Sequence, residues 1–89
     1  MKAIVTVLGK DQVGIIAAVC TLLADNNVNV LDISQTILRE FFTMTMLVDL
    51  SGSKLPFTVL STLLENEGAK RGLAIKIQRE DIFNAMLKI

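Results

Sequence analysis

The chain has 89 residues, of which 52% are hydrophobic and 20% are charged, with nine basic side chains, nine acidic side chains and no histidine. This length accommodates one hydrophobic core, so we expect a single domain over residues 1–89. The net charge of zero excludes an electrostatic basis for binding nucleic acid or anionic lipid. The lack of His and the single Cys exclude Cys/His zinc sites, intramolecular disulfides and His-based acid–base catalysis.

The first residues predict a buried β-strand and not a secretory signal. Residues 3–8 are apolar and β-branched, and the run is too short for a signal h-region followed by a cleavage site. No segment reaches the roughly 18 continuous apolar residues of a membrane span. Cys20 falls on an apolar helical pattern, where a core thiol is expected. We therefore expect a cytoplasmic protein that does not bind membranes.

The first half of the chain changes from a strand pattern to a helix pattern. The apolar run of residues 3–8 ends at Gly9 and predicts a central strand. After a polar loop, an amphipathic helix is predicted from residue 15, with the apolar stripe Ile15, Ile16, Val19, Leu22 and Leu23. Asp11 or Gln12 is expected to supply a polar group to the free N–H groups at the helix start. Asn26 and Asn27 are expected to end it, because Asn tolerates the left-handed conformation.

Two further strand patterns are separated by a turn near Arg39 and Glu40. Residues 28–37 are β-branched and alternate once a β-bulge is placed near Leu31 and Asp32. Residues 42–50 show the clearest alternation of apolar and polar side chains in the chain. The turn between them contains no Gly, Asn or Asp, so we do not expect a two-residue turn of the primed types.

The remaining patterns predict a helix, a strand and a last short helix. Pro56 suits the first position of the helix, and Gly72 after two cations suits its end. Residues 73–77 alternate as a fourth strand, and Asp81 is expected to cap the last helix. The order is β-α-β-β-α-β, which predicts an α+β fold, a ferredoxin-like βαββαβ sandwich. We expect a four-stranded antiparallel sheet with two helices on one face, the second and fourth strands at its edges, and a short C-terminal helix.

Several activities that occur on this topology need residues that the chain lacks. Base stacking by an RNA-recognition module needs aromatic side chains on the central strands, whereas Phe42 lies on the apolar face and Trp and Tyr are absent. The first loop has no CxxC pair for a metal chaperone and no Arg for phosphate. No pattern brings two carboxylates together for acid–base chemistry. We expect no catalytic residues, no metal and no cofactor.

The first loop is the remaining candidate for a binding site. Asp11, Gln12, Val13 and Gly14 precede a helix start, where free N–H groups and a partial positive charge suit a carboxylate. Gly14 permits close approach to the backbone, and Asn29 can both donate and accept hydrogen bonds. Ordinary turn chemistry at Gly14 and a strand-entry Asn explain the same residues, and the residues alone leave both interpretations open.

These residues also resemble the ACT-domain family over essentially the whole chain. The family pattern is a polar loop, D-x-x-G-[IL], a helix with a leucine–alanine pair and a hydrophobic-Asn-hydrophobic strand start. Here it corresponds to residues 9–15, Leu22-Leu23-Ala24 and Val28-Asn29-Val30, with further similarity in Asp32-Ile33-Ser34-Gln35 and Phe42-Thr43-Met44. The chain is most similar to small stand-alone ACT proteins of bacteria and archaea. Those resemble the ACT modules of glycine cleavage system transcriptional regulators and of formyltetrahydrofolate deformylase.

The resemblance implies a regulatory module that binds a small molecule, an amino acid in typical cases, and has no catalytic activity. It implies a homo-oligomer, a dimer joined through the second strand, with the ligand at the interface and an unidentified regulated protein as partner. Carried over by position, the ligand-binding residues are Asp11, Gln12, Val13, Gly14, Asn29 and Val30. Gln12 replaces a basic residue that is common in the subgroup, which weakens the case for a cation at the ligand carboxylate. The alternative is a protein–protein assembly module without a small-molecule ligand.

Overall fold

A computed structural model describes residues 1–82 of the chain. Its elements follow the predicted order: β1 (Lys2–Lys10), α1 (Ile15–Asp25), β2 (Asn29–Leu38), β3 (Phe41–Asp49), α2 (Phe57–Lys70) and β4 (Ala74–Arg79). Residues 80–82 have helical backbone. The rest of the predicted C-terminal helix, from residue 83 onward, lies outside the described residues.

The four strands form one antiparallel sheet in the order β2-β3-β1-β4, which confirms that the second and fourth strands are its edges. β1 pairs in continuous register with β3, from Lys2 opposite Asp49 to Lys10 opposite Phe41. The pairing of β2 with β3 shifts between Val30 and Asp32, which confirms the predicted bulge. The extra residue keeps apolar side chains of β2 on the helix side of the sheet both before and after it.

One hydrophobic cluster joins the inner face of the sheet to both helices. Alternate residues of the two central strands are buried, as Val5 and Met46 illustrate, and Leu23 of α1 and Leu60 of α2 are fully buried against them. Each such aliphatic side chain contributes about 1.5–3 kcal/mol when it is removed from water. Because the two helices share this cluster, both lie on the same face of the sheet, and the opposite face is left uncovered by described residues.

The start of α1 differs in two ways from the prediction. Ile16 belongs to the predicted apolar stripe but is 37% exposed, whereas Ile15, Val19 and Leu23 are buried and Leu22 is half-buried against the core. Neither Asp11 nor Gln12 caps the helix: the N-cap residue is Gly14, with φ of 86°, and no side chain bonds to the N–H groups there. The helix end is as predicted, with Asn27 in the left-handed region at φ 59°.

The hairpin between β2 and β3 contradicts the expected turn type. Leu38 pairs with Phe41, so the loop consists of Arg39 and Glu40 alone. Arg39 has φ of 58°, the positive value that a type II′ turn requires at its first central position. A residue with a β-carbon is strained there by about 1–2 kcal/mol. The side-chain alternation of the two strands fixes their register, and that register leaves room for only two loop residues.

The second helix begins and ends close to the predicted positions. Pro56, predicted to be the first helical residue, is the N-cap residue instead, so the helix begins one place later, at Phe57. Lys70 lies in the last turn, and Gly72 has the positive φ that the predicted helix end requires. Cys20 on α1 packs half-buried against the core, as expected for a structural thiol. Within residues 1–82, no helix is long and apolar enough to cross a bilayer.

Candidate ligand site at the start of the first helix

A cavity of about 230 Å³ opens between the start of α1, the preceding loop and the edge strand β2. Asp11, Gln12 and Gly14 of the predicted site line it, so the structure brings three of the six predicted ligand-binding residues together. The other walls are contributed by Ile15, Ile16, Ala17, Gln35, Ile37 and Phe42. No Lys or Arg is among these lining residues, so an anion in the cavity has only backbone donors and amide side chains near it.

The backbone at the start of α1 supplies hydrogen-bond donors to this cavity. Ala18 donates the first intrahelical bond, to the carbonyl of Gly14, at 2.9 Å. The N–H groups of the three preceding residues, 15 to 17, have no acceptor within the helix, and no side chain caps them. Together with the helix dipole they form a partial positive charge directed at the cavity wall. The cavity therefore suits a carboxylate at this end.

Two hydrogen bonds hold the loop that precedes the helix. The N–H of Asp11 donates to the carbonyl of Glu40 in the β2–β3 hairpin, at 2.6 Å. The side-chain amide of Gln12 donates to the carbonyl of Arg71 after α2, at 3.0 Å. Gln12 thus ties the loop to the end of the second helix, and its amide is occupied by the protein itself. The Asp11 carboxylate is exposed and is left to face solvent or a ligand.

The other three predicted residues do not line this cavity. Val13 is fully exposed at the tip of the loop. Asn29 pairs with Asp49 at the far end of the sheet, where β1 begins, whereas the cavity lies where β1 ends. The eight residue steps of β1 separate these ends by about 27 Å. Val30 follows Asn29 and is half-buried against the core. Within one chain, Gly14 and Asn29 cannot contact the same small ligand.

Six lining residues are absent from the predicted site. Three belong to the first turn of α1, and the other three are Gln35 and Ile37 on β2 and Phe42 on β3. Phe42 pairs with Ile37 across the sheet, and both side chains point to the helix side. The predicted bulge near residue 31 could have identified Gln35. After the bulge, Ile33, Gln35 and Ile37 share the helix-facing side of β2, so a polar side chain there stands out.

Residues 1–82 form other hollows, whose walls offer fewer groups that could bind a charged ligand. A larger one, of about 460 Å³, lies along the outer face of α2 and is lined by Thr58, Val59, Thr62, Leu63 and Asn66, none of which is charged. No cluster of three or more His, Cys, Asp or Glu side chains suited to a metal occurs within residues 1–82. The cavity at α1 is favoured over the larger hollow because it combines free N–H donors, a carboxylate and apolar walls.

The chain is thus a βαββαβ sandwich with an open cavity at the start of its first helix and an exposed edge strand beside it, an architecture that can hold a small ligand. Comparison with known proteins gives the family: the ACT domain model matches residues 2–78. The chain belongs to the ACT-domain family, for which a small-molecule-binding regulatory role is the general function.

Individual relatives agree with this assignment. The chain is 56% identical over 89 residues to a UPF0237 protein of Clostridium acetobutylicum, with both chains fully covered. It is 46% identical to an ACT domain protein from Streptococcus pneumoniae, with 93% of each chain covered and a TM-score of 0.83. A putative glycine cleavage system transcriptional repressor shares 25% identity and a TM-score of 0.73, over 86% of this chain and 44% of that one. A formyltetrahydrofolate deformylase from Pseudomonas putida shares the fold, with a TM-score of 0.77 and 14% identity. The match covers 88% of this chain and 28% of that one. The predicted resemblance to these subgroups is confirmed.

Proposed function

We propose that this protein is a regulatory amino-acid sensor that acts on a partner protein and has no catalytic activity of its own. The observation that carries the proposal is the cavity at the uncapped start of α1, which lies beside an unpaired edge strand. The cavity is lined by a single carboxyl group, that of Asp11, with no second acid or nucleophile beside it. That composition suits binding and lacks the paired groups of acid–base catalysis.

A second copy of the chain completes the site. β2 is an edge strand whose side chains are mostly exposed, including Leu31, Ile33, Ile37 and Leu38, and such an edge invites pairing with another chain. If two β2 strands pair antiparallel about a two-fold axis near their centre, Val30 of one copy lies opposite Ile37 of the other. Val30 of the second copy then lies at the rim of the cavity that Ile37 lines, because both side chains are on the helix side of the sheet. The side chain of Asn29, which pairs with Asp49, lies on the opposite face. Such a dimer thus brings Val30, but not the Asn29 side chain, to the predicted loop site.

The groups in this composite site match the parts of a free α-amino acid. The carboxylate binds the N–H groups at the start of α1. The ammonium is accepted by the Asp11 carboxylate, which lines the cavity. The ligand side chain contacts Ile16 and Ile37, which makes an aliphatic amino acid a better fit than an acidic one.

The test begins with a thermal-shift screen of the full chain against the common amino acids, followed by calorimetry with each ligand that raises the melting temperature. A ligand at 100 times its Kd stabilises the folded state by about 2.7 kcal/mol. Asp11→Asn should weaken binding by about 1–3 kcal/mol, because it removes the charged acceptor of the ligand ammonium.

Asp25→Asn in α1 is the matched control for this substitution, since Asp25 is exposed and does not line the cavity. Asn66→Ala tests the larger hollow on α2. If Asn66→Ala abolishes binding and Asp11→Asn does not, the ligand binds on α2 and the proposed site is wrong.

The second candidate function is assembly without a small-molecule ligand. One observation favours it: Val13, Leu38 and Phe41 are exposed apolar side chains at the same end of the molecule, suited to contact with a protein. The absence of any thermal shift, together with loss of oligomers in Ile33→Lys, would favour this function over the sensor.

A further inference from the structure

The face of the sheet opposite the helices is composed of alternate residues that the hydrophobic core does not use. β1 contributes Ile4, Thr6 and Leu8 to its centre, and β3 contributes Thr43, Thr45 and Leu47. Charged side chains occur only at its margin: Lys2, Lys10, Asp32, Asp49 and Lys76. Within residues 1–82 no element covers this face. Its centre is therefore a flat surface of aliphatic side chains and hydroxyl groups.

We propose that this outer face binds the same face of a second copy of the chain, so that two sheets stack on each other. This interface is distinct from the β2 edge and goes beyond the proposed function, which needs only the edge. The relative orientation follows from the register of the central strands. A two-fold axis parallel to the strands, between the two sheets and midway between β1 and β3, stacks β1 of each copy over β3 of the other.

In that arrangement each β1 residue lies over the residue with which it pairs in its own sheet. Ile4 is stacked over Leu47, and Thr6 is stacked over Thr45. Lys2 of each copy comes within reach of Asp49 of the other. The two-fold symmetry therefore gives two Lys2–Asp49 ion pairs. Hydroxyl groups can be donors and acceptors, so the threonines can bond to each other across the interface.

The sheet margins are also compatible with this orientation. β4 of each copy is stacked over β2 of the other, which places the Gln78 amide near the Asp32 carboxylate. Lys10 lies over the ring of Phe41, an arrangement in which a cation and an aromatic face attract each other. In the other face-to-face orientation the two-fold axis is perpendicular to the strands. β1 of one copy then lies over β1 of the other and runs in the opposite direction. Lys2 would then lie over Lys10 twice, so the repulsion of like charges excludes it.

The size of the face decides what kind of assembly it can support. Four strands about 4.8 Å apart and about eight residues long cover roughly 500 Å² in each copy. Stacking two copies therefore buries roughly 1,000 Å², the lower limit for a specific interface. Such a contact is weak alone. The two-fold axis of the β2 edge pairing is perpendicular to the sheet and lies beyond β2, so it does not meet the stacking axis, and the two interfaces together extend without closing. We accordingly expect particles larger than a dimer whose average mass rises with concentration.

The test measures the mass of the full chain by sedimentation equilibrium at about 100 µM. Thr45→Arg places a long cation at the centre of the face, and Thr62→Arg makes the same change on the exposed side of α2 as its control. Ile33→Lys places like charges together at the β2 edge. We expect the average mass of the wild type and of Thr62→Arg to exceed twice the 9.7 kDa chain mass and to rise with concentration. Thr45→Arg and Ile33→Lys should each form dimers only, and the double variant should be monomeric.

The outcomes separate this proposal from the edge pairing in the proposed function. An unchanged mass for Thr45→Arg overturns the stacking of the sheets, whatever Ile33→Lys does. A wild-type dimer supports the stacking if Thr45→Arg alone makes it monomeric, and contradicts it if Ile33→Lys alone does. A wild-type monomer contradicts both interfaces.

Lys2→Glu provides a second test at the margin of the face, in case Thr45→Arg fails to fold. It replaces each proposed ion pair with two carboxylates, so the mass should fall at low salt and recover in 1 M NaCl, where charges are screened beyond about 3 Å. A mass independent of salt contradicts the proposed orientation.

Discussion

Gly68 of α2 lies so close to Ile75 of β4 that a β-carbon at position 68 would be 2.8 Å from Ile75 Cγ1. It would also be 2.8 Å from the carbonyl oxygen of Leu73, a backbone atom that cannot rotate away. Gly68→Ala should therefore destabilise the protein, although Ala favours a helix over Gly by about 1 kcal/mol. Overpacking costs about 1–3 kcal/mol, so the net loss should be up to about 2 kcal/mol in the free energy of urea unfolding.

Asn66→Ala, two residues earlier on the exposed side of the same helix, is the control for this prediction. There the propensity gain acts alone, so the free energy of unfolding should rise by up to about 0.7 kcal/mol. If Gly68→Ala is stabilising as well, the helix can move away from the sheet and the contact is not tight.

The strained hairpin predicts a stabilising substitution at Arg39. Arg39→Asn should raise the free energy of unfolding by about 0.5–1 kcal/mol, because Asn adopts a positive φ at less cost than Arg. Glu40→Asn is the control, since Glu40 has no positive φ. Thermal unfolding of both variants measures the effect, and equal melting temperatures would show that the turn is not strained.

Asp49 predicts a dependence of stability on acid pH. The Ser51 hydroxyl donates to its carboxylate at 2.7 Å and the Ser51 N–H at 3.0 Å, which lowers the pKa of Asp49 from 3.8. A carboxyl group with a lowered folded-state pKa stabilises the protein fully above its unfolded pKa. That contribution is lost as the pH falls through the folded pKa. The difference in stability between wild type and Asp49→Asn should thus be constant near neutral pH and shrink below about pH 4.

NMR titration of the Asp49 carboxyl group measures the cause directly. Ser51→Ala removes the hydroxyl donor and should raise the pKa of Asp49 toward its ordinary value. An unchanged titration curve in Ser51→Ala would show that the hydrogen bond does not hold the carboxylate in its charged form.

The fold was predictable because side-chain periodicity reports burial directly. The alternation in residues 42–50 identified β3, and the apolar pattern that changes at residue 15 located α1. The hairpin turn was not predictable from its own residues. Arg39 is a poor turn former, and its conformation is imposed by the pairing of Leu38 with Phe41 and by the bond from Asp11 to Glu40. At Arg39 the tertiary structure therefore overrides the conformational preference of the residue.

The candidate site was predictable only where its residues are adjacent in sequence. Asp11, Gln12 and Gly14 line the cavity together because they belong to one loop. Gln35 contributes only because α1 crosses the sheet above it and because the bulge in β2 turns its side chain to the helix side. Neither feature is visible in the residues next to Gln35. Asn29 shares a family motif with the loop but lies at the other end of the chain's sheet. The family motif therefore joins two places that the fold of one chain keeps apart.

Gly14 allows the proposed amino-acid site to be tested separately from the fold. Its φ is 86°, and a β-carbon there would have no heavy atom within 4 Å, so Gly14→Ala loses stability only through backbone strain, by about 1–2 kcal/mol. Gly14→Asn should lose less, because Asn tolerates the left-handed region. Both variants place a side chain beside the N–H groups at the start of α1, so both should weaken by at least about tenfold, or 1.4 kcal/mol, the binding of any amino acid that stabilises the wild type.

Gly72→Ala is the matched control for these variants, because Gly72 also has a positive φ, of 72°, and open space around its β-carbon. It does not line the cavity, so it should lower the melting temperature as much as Gly14→Ala does while leaving the affinity unchanged. Calorimetry on the four proteins then separates strain from contact. Wild-type affinity in both Gly14 variants would place the ligand elsewhere, and equal weakening in Gly72→Ala would attribute the loss to destabilisation and not to the site.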